Sequence, residues 1–69
     1  MDIIYSDHAT KRLKQRGITE IEVSHVLQHP SYVKKTHEGR KEVVGEINNR
    51  RIKIVMIEKE NYIKIITVI

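Results

Sequence analysis

The 69-residue sequence predicts an α+β domain in which two N-terminal helices pack on one face of a four-stranded antiparallel β-meander. Three observations carry that prediction. Gly17 separates two helical stretches, and a Thr-x-x-Glu start signal follows it at Thr19 and Glu22. Pro30 closes the helical half, because the residue before a proline is disfavoured in helical geometry. Beyond Pro30, two separate turns place the same apolar residues on one face of a sheet.

Ile3-Ile4-Tyr5 is a short apolar segment that suits either a brief edge strand or an extended arm on the core. Ser6 or Asp7 supplies the first N-cap, since either side chain accepts from the free amides of a first turn. The first helix then runs to about Arg16, with its apolar content, Ala9 and Leu13, on one side. Gly17 is its expected left-handed stop. Thr19 caps a second helix over residues 20–28, with Glu22 completing the capping box and Ile18 and Val23 at the staple positions. Val23, Val26 and Leu27 are the residues this helix presents inward.

Residues 31–36, 41–47, 50–57 and 62–69 read as strands. His37 to Arg40 contains a turn glycine, Asn48-Asn49 suits a two-residue hairpin with positive φ, and residues 58–61 form a polar loop. The first hairpin sets Gly45 opposite Ile52 and Val43 opposite Ile54. The second sets Ile57 opposite Tyr62, Met56 opposite Ile63, Ile54 opposite Ile65 and Ile52 opposite Thr67. Both put Val43, Gly45, Ile47, Ile52, Ile54, Met56, Ile63 and Ile65 on one face, which the helices should cover. The opposite face carries Arg51, Lys53, Lys64, Glu42 and Glu46, together with an apolar patch of Val55, Ile57, Tyr62, Ile66 and Val68. Such a patch is too apolar for an ordinary wet surface and implies a partner, including a second copy of the chain.

Length and charge bound the rest. A single domain of this size buries only about 60% of its unfolded surface, so its core is small. There is no cysteine, hence no disulfide or thiolate metal site, which fits a reducing, cytoplasmic setting. Residues 1–5 are too short and too acidic for a signal peptide, and no apolar run approaches a membrane span. Thirteen Lys and Arg against nine Asp and Glu give a net charge of +4, enough to make nucleic acid a plausible partner through phosphate contacts.

His8, Arg12 and Arg16 are each four apart and rise along one helical face. A histidine and two guanidiniums in line can bind phosphate, and they equally suit a solvated helix edge. Arg51, Lys53 and Lys64 form a basic group on the open sheet face, with Tyr62 as a possible stacking surface for a base and Arg40 as a further cation beside the first β turn. Thr67 falls on the core face. His25 and His29 have metal-ligand spacing but point to solvent with no third ligand near, so neither a metal nor another cofactor is expected.

His8-Ala9, Arg12, Arg16-Gly17-Ile18-Thr19, Val23, Val26-Leu27 and Pro30 resemble a family of small uncharacterised prokaryotic proteins with the pattern His-Ala, Arg, Arg-Gly-Ile, and a Thr near the C-terminus, here Thr67. That family is similar to the RelE-like and BrnT-like toxins. The resemblance implies a RelE-like fold and a metal-independent endoribonuclease that cuts by attack of the neighbouring 2′-hydroxyl. It further implies RNA as substrate, with or without the ribosome, and a cognate antitoxin over the open sheet face. It assigns catalysis to His8, Arg12 and Arg16, with His8 as acid or base. Many relatives carry a C-terminal helix, which is not expected here because the sequence ends at Ile69. The other reading is a non-catalytic module that binds RNA or protein.

Overall fold

The computed structural model describes residues 2–69. The elements are β1 (Asp2–Tyr5), α1 (Asp7–Arg16), α2 (Glu20–Gln28), β2 (Tyr32–Lys35), β3 (Arg40–Ile47), β4 (Arg50–Glu58) and β5 (Tyr62–Val68), with a 3-10 turn at His37–Gly39. The α+β class and the two helices are as expected, but the sheet is not a four-stranded meander. It is five-stranded and mixed, in the order β1-β5-β4-β3-β2. The added strand, β1, runs parallel to β5, with Ile3 opposite Ile63 and Tyr5 opposite Ile65. Its alternation explains the docking: Ile3 and Tyr5 pack on the core while Asp2 and Ile4 are exposed. The segment thereby gains a hydrogen-bonded ladder and apolar burial together. The helices carry the chain from this edge to β2 at the other, and three antiparallel steps return it to β5.

Both helix starts follow from their side chains. Ser6 Oγ accepts from the Ala9 N–H at 3.0 Å. Thr19 Oγ1 accepts from the Glu22 N–H at 3.2 Å, and Glu22 Oε1 accepts from the Thr19 N–H at 2.9 Å. Gly17 ends α1 at φ 64°, in the left-handed region. Ala9, Leu13, Ile18, Val23 and Val26 meet Val43, Ile52, Ile54, Met56, Ile65 and Val68 in one core, with Leu27 packed at its edge. Tyr5 also packs there, and burial, followed by the nearby Glu20 charge, raises its phenol pKa.

The first hairpin keeps the expected register, turning on Asn48 and Asn49 at φ 55° and 63°. The second does not. β4 continues to Glu58, and the Lys59 N–H donates to the Tyr62 carbonyl at 2.8 Å, so the turn tightens to Glu60-Asn61. Met56 then pairs with Ile65 and Ile57 with Lys64, a shift of two residues that keeps Ile63 and Ile65 on the helix side. Farther along, a bulge between Val55 and Met56 changes the alternation, and Val55 pairs with Thr67 and Ile54 with Val68. Thr67 moves to the open face and Val68 becomes fully buried, the reverse of the expected placement. An apolar residue is thus exchanged into the core for a hydroxyl.

The β3–β4 turn is pinned against the helix junction. Asn48 Nδ2 donates to Glu22 Oε2 at 3.1 Å, and Arg50 donates to the carbonyls of Arg16 at 2.8 Å and Gly17 at 3.1 Å. The Thr19 amide first, then the Asn48 amide, hold the Glu22 carboxyl below its ordinary value of 4.5. A carboxyl depressed in the folded state contributes stability that is present above the unfolded value and is lost as pH falls through the folded one. Urea unfolding followed from about pH 6 downward should therefore show a loss of stability beginning near the ordinary glutamate range. Glu22→Gln should remove that part of the acid limb; an unchanged limb would show that other carboxyls carry it.

Candidate nucleic-acid interface

The helices cover one face of the sheet and leave the other bare. Strand pairing arranges the bare face in cross-strand rows. Arg40, Ile57, Lys64 and Ile4 form one row, and Lys34, Glu42, Val55 and Thr67 the next. Tyr32, Val44 and Lys53 form the third, and Glu46 and Arg51 the last. Cations therefore stand at both ends of the face. Ile57 and Lys53, which mark the first and third rows on β4, are four residues apart, or about 13 Å.

This geometry divides the expected basic group. Arg51 and Lys53 are neighbours on one face of β4, but the two-residue shift moves Lys64 from opposite Val55 to opposite Ile57. Tyr62 moves beyond the end of β4, where it pairs with Asp2 of β1 and takes the Lys59 N–H on its carbonyl. It is not placed to stack beside Arg51. Tyr32 is. The Arg51 guanidinium carbon lies 5.8 Å from the Tyr32 ring centre, and Arg51 Nη2 is 3.5 Å from the Tyr32 hydroxyl. Tyr32 remains 47% exposed, which leaves ring surface open to a ligand. No sequence signal marks it, because alternation in β2 gives no hint of a partner two strands away. Lys53 is engaged by Glu42, Nζ to Oε1 at 3.3 Å.

The helical row lies elsewhere. α1 packs through Ala9 and Leu13 on the covered side of the sheet, so His8, Arg12 and Arg16 stand on the far side from the bare face. His8 and Arg16 are exposed and Arg12 half-buried, and Arg12 Nε approaches His8 Nε2 at 3.5 Å. A shallow open hollow there is lined by His8, Lys11, Arg12 and Gln15. His8 and Arg12 adjoin, Arg16 does not line the hollow beside them, and the fold does not bring the row together with Arg40, Arg51, Lys53 or Lys64.

A larger hollow of about 470 Å³ opens on the bare face, between the β2–β3 turn and β5. Thr36, His37, Glu38, Arg40, Glu42, Val55, Ile66 and Thr67 line it. Of these, Arg40 alone is among the site residues that the sequence predicts. The His25 and His29 rings stand 5.1 Å apart, and no group of three or more metal-ligating side chains occurs among the described residues. No helix among them is long and apolar enough to cross a membrane.

A family model described as Domain of unknown function (DUF4258) matches residues 5–69, nearly the whole chain. No curated protein and no solved structure matches it.

Proposed function

We propose that this chain, which belongs to the family Domain of unknown function (DUF4258), is a toxin-type, metal-independent endoribonuclease that lays single-stranded RNA across its open sheet face. The observation that carries this reading is the bare face itself, with Arg40 and Lys64 at one end, Arg51 and Lys53 at the other, and an exposed tyrosine backed by a guanidinium. Cations supply sequence-independent affinity for phosphates, and an aromatic ring supplies a platform for an unpaired base. The similarity to RelE-like and BrnT-like toxins adds the reaction: the 2′-hydroxyl attacks the adjacent phosphorus with no metal. It also adds the setting, a cytoplasmic toxin held inactive by an antitoxin over the same face.

Expression in a bacterial host, with growth and transcript integrity measured together, tests activity. Growth arrest with RNA loss supports the nuclease, and normal growth with intact RNA at high expression counts against it. Binding tests the surface separately. Removing two phosphate-contacting cations in Arg51→Ala/Lys53→Ala should weaken oligoribonucleotide binding and reduce the slope of log K against log salt by roughly 1.4. An unchanged slope would place RNA elsewhere.

A non-catalytic RNA-binding module is the second reading. One observation favours it: His8, Arg12 and Arg16 stand on the opposite side of the sheet from the RNA face. In that reading His8→Ala and Arg16→Ala leave RNA binding intact and there is no cleavage to lose.

A further inference from the structure

The bare face holds a set of reactive groups that the α1 row does not include. We propose that the hollow between the β2–β3 turn and the β5 bulge is where RNA is cut, with Arg40 holding the scissile phosphate and His37 taking the 2′-hydroxyl proton. This rests on the endoribonuclease reading and gives it a reaction centre on the RNA side of the sheet.

Three features of the backbone converge on this one place. Glu38 is left-handed at φ 62°, ψ 33°, a region that non-glycine residues seldom adopt, and Gly39 beside it is at φ 75°. The β5 bulge turns Ile66 and Thr67 towards the hollow from the other side. Bulges and left-handed residues recur beside functional sites because they re-aim side chains that regular strands would point elsewhere. The turn is closed locally, since both the N–H and the Oγ1 of Thr36 donate to the Arg40 carbonyl, at 2.9 and 3.2 Å. That closure fixes His37 and Arg40 on one tight loop without occupying either side chain. Neither is hydrogen-bonded or ion-paired through its side chain among the described residues, whereas Lys53 and Lys41 are paired with Glu42 and Glu58.

The chemistry requires a proton acceptor beside a cation, and the hollow supplies both. As the O2′–P bond forms, the neutral His37 imidazole takes the 2′-hydroxyl proton. Arg40 binds the non-bridging oxygens, whose charge grows as the phosphorane develops. The P–O5′ bond then breaks, and the leaving 5′-oxygen takes a proton from water. The products are a 2′,3′-cyclic phosphate and a 5′-hydroxyl, and His37 returns its proton to solvent, so no oxidant, metal or co-substrate enters. Val55 and Ile66 give the hollow an apolar wall against the ribose or base.

The test uses the full chain and a single-stranded oligoribonucleotide labelled at both ends. The wild type should cleave it and leave a cyclic phosphate end, and a 2′-deoxy residue at the cut position should block the reaction. His37→Ala should lower the single-turnover rate about 10²–10⁴-fold with RNA affinity little changed, and added imidazole should restore part of the rate. Arg40→Lys should retain more activity than Arg40→Ala, because charge is kept while the fork is lost. His37 and Arg40 are exposed, so both variants should fold; matching circular dichroism and unfolding midpoints check this. Undiminished cleavage by folded His37→Ala overturns this proposal and leaves the nuclease reading standing. So does cleavage lost in His8→Ala but kept in His37→Ala. No cleavage by the wild type overturns both.

Discussion

Ser6→Ala should lower stability by about 2 kcal/mol, because one hydroxyl serves two elements that are far apart in sequence. Ser6 Oγ accepts from the Ala9 N–H at 3.0 Å, which caps α1, and donates to the Ile66 carbonyl at 2.9 Å, which lies in the β5 bulge. Removing an N-cap costs about 1 kcal/mol, and leaving a partly buried carbonyl without its donor costs about as much again. In a domain of this size, that corresponds to a fall of roughly 10 °C or more in Tm. Ser6→Thr keeps the hydroxyl and should recover most of the loss. A drop of only a few tenths of a kcal/mol in Ser6→Ala would mean that water replaces both bonds. Amide exchange separates the two halves of the effect: fraying at Ala9 reports the cap, and faster exchange in β5 reports the bulge. The bulge half bears on function, since it sets Thr67 on the bare face and Val68 in the core.

That dependence shows which parts of the molecule were legible in the sequence. The helical half rests on local chemistry: the Ser6 and Thr19 hydroxyls, the Glu22 carboxylate, Gly17 and Pro30 each act within a few residues. Asn48-Asn49 is equally local, so the β3–β4 register followed from it. β1 has no such signal. Four residues carry too little alternation to declare a strand, and its partner lies some sixty positions away. Residues 58–61 are all polar, and nothing in them distinguishes a four-residue loop from a two-residue turn. The bulge depends on Ser6 and on the burial of Val68, both of which are tertiary. The candidate site depends on the same long-range pairings. The residue types that suit RNA, and the face that Arg51, Lys53 and Lys64 share, were visible; the β4–β5 shift moved Lys64 and Tyr62 along that face, and the β2–β3 pairing, which no turn signal fixes, set Tyr32 beside Arg51. Arg50 had no sequence signal for a different reason: its partners, the carbonyls of Arg16 and Gly17, lie across the helix junction some 33 positions away.

Gly45→Ala should also destabilise the fold, by about 1–2 kcal/mol, although alanine is ordinarily the better residue in a strand. The backbone at Gly45 is not in the left-handed region, so conformational freedom is not what the glycine supplies. It supplies space. A Cβ there would stand 2.9 Å from Val26 Cγ1 and 3.3 Å from Cγ2. Val26 is fully buried on α2, and a β-branched side chain in a helix has essentially one rotamer, so the methyls cannot turn away. α2 must lift from β3 or the sheet must bend, at an overpacking cost of about 1–3 kcal/mol. Restricting the unfolded chain returns about 0.4–1 kcal/mol, too little to reverse the sign. Val26→Ala alone should cost more than a surface change, because it leaves a void beside Gly45. In the double variant Gly45→Ala/Val26→Ala the new methyl occupies part of that void. The pair should therefore be more stable than the sum of the single losses implies, by at least about 0.5 kcal/mol in a double-mutant cycle. Strict additivity would show that α2 and β3 accommodate the methyl independently of Val26, and the close approach would then not be what holds α2 at its height above the sheet.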